Sequence, residues 1–398
     1  MKKIRHYIFL KDVLVLTLSA FGGPQAHFTL FLDKLVKKRA YLTEEELIEL
    51  NSFCQILPGP ASTQTLTAVG FKIGGPRLAF LTLLIWILPS ITIMTLAAIG
   101  MTYMEGNHVS LIFTRFIQPM AVGFVMFAAY KISSMVVKSK TSYAIFIASA
   151  VFCYFVSSPA IFPIILIIGG LITSVRFKRH PLETEQKQEK YKIDWANLIL
   201  FAAVLFGAAL LGRVTHALPI RLFENFFRNG SLIFGGGDAL TALFYKEFVV
   251  FKHYLNNQEF LTGFAIQKAL PGPLFSFSSY IGALSMRQYG VPGEILGGIV
   301  AAAGVFLPGT ILIFFLIRFW DKLKQYRAVK ASLEGVNAAS AGVVTATALI
   351  LFWPMMDYNM ELRLLSYGII AATFSALTFT KMPPPYIILI GLLAGLIF

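Results

Sequence analysis

Apolar positions run through this chain in stretches too long and too even for the amphipathic helices of a soluble protein. Leu78 to Met104 contains no charged residue and Leu111 to Ala129 a single one. Each reaches the roughly 20 residues that a helix needs to cross the hydrocarbon core. Similar runs predict helices near 141–157, 160–176, 292–317, 331–353, 361–379 and 384–398, with Trp195 to Leu211 standing alone between the two groups. Lipid offers no partner to an exposed peptide group, so such segments fold as helices packed in a bundle. The expected fold class is all-α, a polytopic transmembrane helical bundle.

Two short stretches break the pattern. FCQILPGPASTQ, Phe53 to Gln64, places two prolines around a glycine and follows them with hydroxyl and amide side chains; ALPGPLFSFSS, Ala269 to Ser279, repeats it. At one offset of 213, Phe21–Gln25 (FGGPQ) falls on Phe234–Asp238 (FGGGD), Tyr41 and Leu42 fall on Tyr254 and Leu255, and Pro58, Gly59 and Pro60 fall on Pro271, Gly272 and Pro273. An insertion of six then carries Leu88 and Pro89 onto Leu307 and Pro308, and Gln118 and Gly123 onto Asn337 and Gly342. The chain therefore reads as two repeats, 1–176 and 220–398, joined by 177–219, a polar loop plus one unpaired helix.

Charge gives these repeats a direction. The net charge is +14 on 398 residues of which 57% are hydrophobic and 14% charged, with a mean hydropathy of +0.71. In a soluble chain that excess would suggest nucleic acid; here its distribution points to a lipid bilayer and to no nucleic-acid partner. Basic residues crowd Lys2–Arg5, Lys131–Lys140, 176–192 and 318–330, whereas Lys and Arg are absent from 105–108, 157–160 and 354–360. That is the positive-inside pattern, and it puts the amino terminus and both long loops in the cytoplasm. Arg213, Arg221 and Arg228 fall on the other side, and the sequence gives no account of them. Lys11 and Asp12 interrupt the first apolar run, so it is kept as mature chain instead of a signal peptide. One unpaired crossing inverts the second copy, which predicts an inverted-topology repeat, an architecture common among secondary transporters. For the charges to alternate, 8–73 and 221–288 each cross an even number of times, as re-entrant hairpins or as paired spans.

The breaks supply the candidate chemistry. Pro58 and Gly59 prevent a helix from continuing, and Pro60 suits a first helical turn because the amide it lacks has no partner there. Backbone amides and the side chains of Ser62, Thr63 and Gln64 then gather at one helix start, a cradle for an anion. Pro271, Gly272 and Pro273 provide the second copy. Gly22 and Gly23 with Gln25, and Gly235, Gly236 and Gly237 opposite, let main chain approach a ligand closely. The competing reading is that these residues only kink and pack helices. Among charged candidates, Lys268 stands where the first repeat has Gln55 and would neutralise a dianion, while His27, Asp238 and Glu247 are candidates for a coupling proton. His27 reads equally as a hydrogen-bonded packing residue. Asp33, Lys34, Lys37, Lys38 and Arg39 read as a solvated interfacial face, with Glu44–Glu46 capping a helix after Thr43.

Cys54 and Cys153 have neither the number nor the spacing of a disulfide framework or a metal site, and no metal or cofactor is expected. The chain has no GxxxxGK[ST] for a nucleotide-driven pump and no HExxH or GxSxG for a membrane enzyme, so it reads as a non-enzyme. A channel on the same repeats stays open.

Taken together, FGGPQAH, LDKLVKKRAYLTEEEL, LPGPASTQ and ILPS in the first half, with FGGG, ALPGP and FLPG in the second, resemble the paired signatures of the chromate ion transporter family. The resemblance covers nearly the whole chain, in the long two-repeat form. It implies a multi-pass carrier of the bacterial inner membrane that exports chromate, coupled to protons or to exchange with another oxyanion such as sulfate. A sulfate or other oxyanion carrier, or an anion channel, is the alternative, and a homodimer is allowed. Ala61 stands where the family often has Asn, and Asp238 is an acid where none is expected.

Overall fold

Long apolar runs become long helices, and the broken stretches become short ones. The computed structural model describes residues 2–107, 116–156, 158, 161–175, 196–233, 237–316, 327–357, 360–380 and 382–397. The first half holds α1 (Lys2–Ser19), α2 (Pro24–Phe31) running into a π-helical segment (Leu32–Lys38), α3 (Glu44–Ile56), α4 (Ala61–Gly106), α5 (Ile117–Val136), α6 (Lys140–Phe155) and α7 (Ile161–Ser174). After α8 (Ala196–Thr215) come α9 (Leu218–Leu232), α10 (Gly237–Phe244) with its own π-helical segment (Tyr245–Phe251), α11 (Asn257–Ala269), a 3₁₀ turn (Leu274–Ser276) and α12 (Phe277–Ser285). The chain closes with α13 (Gly290–Leu316), α14 (Arg327–Phe352), α15 (Met360–Phe379) and α16 (Pro384–Ile397).

Among the described residues six helical stretches are long and apolar enough to cross a membrane, and the protein is a multi-pass membrane protein. The α2 and α10 boundaries, both π segments, and α3 and α11 coincide at each end when shifted by 213. Local chemistry accounts for the shared starts. Thr43 accepts from the Glu46 amide and Glu46 from the Thr43 amide, a capping box that Asn256 and Glu259 repeat before α11.

The broken stretches fold as antiparallel helical hairpins. Thr65 donates to Asn51 at 3.3 Å and Lys72 pairs with Glu46 at 2.6 Å, so α3 and the start of α4 lie antiparallel with the Pro58–Pro60 turn between them. In the second half Tyr280 donates to the Glu259 carbonyl at 3.0 Å and Arg287 pairs with the Glu259 carboxylate, which closes α11 against α12 around Pro271–Pro273. At 1.5 Å per residue the 13 residues of α3 or α11 rise about 20 Å, well short of the roughly 30 Å hydrocarbon core. Beyond the first hairpin α4 bends at Gly74 and Gly75 and then runs on as a long span.

The basic run after Asp33 is more than a solvated face. Lys38 pairs with Asp33 at the surface (2.8 Å), but Lys34 (3.2 Å) and Arg39 (2.8 Å) reach back to Asp12 on α1, and Tyr41 donates to the same carboxylate at 2.9 Å. Asp12 is buried, and a carboxylate removed from water needs such partners. In the second half the acid has moved to the π segment: buried Glu247 faces Arg228 of α9 at 2.9 Å and Lys252 at 3.7 Å. This also accounts for Arg228, which the charge pattern alone leaves unexplained.

Candidate functional site

The two hairpin tips meet. Gly59 has φ 113° and Gly272 φ 107°, left-handed conformations that a side chain resists, so the turn between the prolines requires glycine. That turn exposes an amide at each tip. The Gly59 amide donates to the Ile233 carbonyl at 2.8 Å, and the Gly272 amide donates to the Ala20 carbonyl at 2.8 Å. Ala20 and Ile233 are themselves equivalent at the offset of 213, so each half reaches the other through the same bond. Each tip also rests on the proline-bearing helix opposite: Gly59 lies beside Gly309 of α13, and Gly272 lies beside Ser90 of α4.

A cavity of about 500 Å³ lies against the tips. Of the residues singled out in the sequence, Gly22, Gly23 and Gly59 line it from the first half, and Gly237, Lys268 and Gly272 from the second. The side chains expected to form the anion cradle are used elsewhere. Ser62 bonds His27 Nδ1 at 3.1 Å, Thr63 accepts from the Trp86 indole at 3.1 Å, and Gln64 donates to the Pro58 carbonyl at 2.7 Å. Pro58, Pro60, Pro271 and Pro273 shape the turns and are not part of the cavity wall. The two tip amides, engaged across the halves, are likewise not free to face a ligand in this conformation.

Polar groups that the sequence reading did not single out take their place: Asn51, Gln55, Gln267, Asn337 and Lys131. The repeat alignment already held a signal for two of them, since Gln55 matches Lys268 and Asn337 matches Gln118. Lys131 had none, because it counts as one of several cytoplasmic lysines. Gln267 is buried; its Nε2 donates to the Pro273 carbonyl at 3.4 Å and its Oε1 has no protein partner. Among the described lining residues there are two lysines and no Asp or Glu, so the cavity is electropositive.

His27 sits behind the first tip, buried against Trp86, with ring centroids 5.3 Å apart and the ring planes perpendicular. Its Nε2 faces the Ala20 carbonyl at 3.1 Å, which can only accept, so Nε2 carries hydrogen; in the neutral ring Nδ1 then accepts from Ser62. Ala20 O thus takes bonds from both His27 and Gly272. Glu247 lies outside the cavity wall in the ion cluster already described. Gly235 and Gly236, and the side chains of Gln25 and Asp238, lie outside the described residues.

Two stretches of the chain, 8–175 and 220–396, match the model of the chromate transporter family. The chain is 27% identical to the probable chromate transport protein of Synechococcus elongatus over 401 residues, covering 100% of this chain and 95% of that protein. It is 25% identical to the chromate transport protein of Cupriavidus metallidurans (95% of this chain, 89% of that one) and 25% identical to the chromate transport protein of Pseudomonas aeruginosa (83% and 77%). No solved structure matches it.

Proposed function

The chain belongs to the chromate transporter family, and from that premise we propose that it is a secondary carrier exporting chromate across the cytoplasmic membrane of a bacterial-type cell. In this reading residues 1–176 and 220–398 are two copies of one unit, inverted with respect to each other by α8, and the amino terminus is cytoplasmic. The coincident helix boundaries and the exchanged Gly59 and Gly272 bonds support the duplication; the distribution of lysine and arginine supports the inversion.

The observation that carries the substrate class is the cavity itself. It lies where two half-length hairpins meet, is walled by amides and two lysines, and has no described carboxylate in its lining. Such a lining suits a tetrahedral dianion, whose oxygens accept from ammonium and amide hydrogens. Sulfate has the same charge and shape, so exchange of chromate for sulfate is the second reading.

For coupling, His27 is the residue in contact with a tip. A second proton on its ring would turn Nδ1 from acceptor to donor and reverse the Ser62 hydroxyl at the start of α4, so protonation and tip geometry are linked. Asp238, beside the glycines of the second half, is the alternative carrier of the proton.

The deciding experiment uses purified protein in liposomes with labelled chromate and labelled sulfate, with and without an imposed proton gradient. Saturable chromate flux that responds to the gradient or to opposing sulfate supports the carrier. Absent flux, or currents far above carrier turnover, overturns it.

A further inference from the structure

Of the two lysines lining the cavity, Lys131 is the exposed one on the last turns of α5. Lys131 and Met135, on the last turns of α5, are exposed and line it together with Ile132 and Val136, so it opens where α5 ends. Leu377 near the end of α15 and Pro384 at the start of α16 stand at the same mouth. Among the described residues no carboxylate pairs with Lys131; its ammonium lies 5.9 Å from the Phe127 ring, at the edge of cation–π range.

At the repeat equivalents the arrangement is closed and neutral. With the insertion of six, Lys131 corresponds to Ile350, Ile132 to Leu351 and Val136 to Met355. Leu351 and Met355 are buried and Ile350 is packed against the core. The other lining lysine, Lys268, also has a neutral equivalent, Gln55.

We propose that Lys131 is the residue that collects the anion at one mouth of the transport path, and that Ile350 leaves the opposite mouth without such a cation. The inference rests on the inverted-repeat carrier reading: when the carrier turns over, the repeats exchange conformations, and the newly opened mouth is lined by Ile350 in place of Lys131. A cation at the rim of a low-dielectric cleft raises the local concentration of a dianion, and salt screens the effect over about 10 Å at 0.1 M. The apparent affinity for substrate is therefore higher on the Lys131 side, which the charge rule makes the cytoplasmic side, and release at the other mouth is not opposed by a matching lysine.

The test measures labelled chromate flux in vesicles of both orientations, at low and high ionic strength. Lys131→Ile raises KM by about tenfold at low salt from the α5-end side alone, in the range of steering effects, and the difference shrinks in high salt. Lys131→Arg retains the wild-type KM. Ile350→Lys lowers KM from the opposite side, an independent reading should Lys131→Ile fail to fold. Equal KM values for Lys131→Ile and wild type at low salt, or a change equal from both sides, overturns the proposal while leaving the carrier in place. Wild-type protein without saturable chromate flux removes the carrier reading and this inference together.

Discussion

Ser90 and Ser276 bring their buried hydroxyl oxygens to 2.7 Å, one on the proline-bearing α4 of the first half and the other in the 3₁₀ turn after the second hairpin tip. Ser90 also reaches the Ile87 carbonyl at 3.1 Å, and when it donates there Ser276 donates to Ser90. This side-chain bond, with the two glycine amides, holds each tip against the opposite half. It predicts that Ser90→Ala and Ser276→Ala each cost about 1 kcal/mol of stability, while the double variant costs less than the sum because the two share one bond. Denaturant unfolding in detergent checks it.

Gly272→Ala carries two separable penalties. The new Cβ comes 3.0 Å from Ser90 Oγ, and φ 107° is strained for any residue with a side chain. Adding Ser90→Gly, which copies Gly309 at the equivalent position, relieves the first and not the second. Chromate flux is expected to be lost in Gly272→Ala and to return only in part in the double variant.

Lys268→Gln makes the second hairpin match the first at this position, where Gln55 stands. Removing one charge-assisted hydrogen bond, about 1.5–3 kcal/mol, raises the chromate KM about ten- to hundredfold. Both residues line the cavity, so Gln55→Lys added to Lys268→Gln recovers part of the loss. Initial rates over a range of chromate concentrations decide, and an unchanged KM in Lys268→Gln removes this lysine from the site.

His27→Gln separates transport from coupling. If His27 carries the proton, the variant exchanges chromate for an opposing anion but no longer responds to an imposed proton gradient. Glu247→Gln behaves differently: it leaves Arg228 and Lys252 without their shared carboxylate and lowers the unfolding free energy by about 3 kcal/mol, with gradient dependence kept in the folded fraction.

Inversion of the repeats is checked by labelling. Lys138, before α6, and Met360, at the start of α15, are both exposed, and the native Cys54 and Cys153 are buried. Lys138→Cys is expected to react with an impermeant maleimide only from the cytoplasmic side and Met360→Cys only from the exterior. Reaction of both from one side contradicts the inverted arrangement.

What the sequence determined by itself is whatever a few neighbouring residues decide. A 27-residue run without charge from Leu78 to Met104 commits the chain to the bilayer. Proline without an amide and glycine free in φ commit it to stop at Pro58–Pro60 and Pro271–Pro273, and Thr43 or Asn256 with the glutamate three residues on commits it to restart helices at fixed points. Local rules written twice gave the repeat away. Tertiary structure alone decided what those stops face, because that depends on groups far apart in the chain. It folded the stops into hairpins through Glu46–Lys72 and Glu259–Arg287, engaged the tip amides with Ile233 and Ala20, and turned Ser62 and Thr63 toward His27 and Trp86 instead of the cavity. It also brought Lys131 to the cavity and left Ile350, at the equivalent position, partly buried against the core.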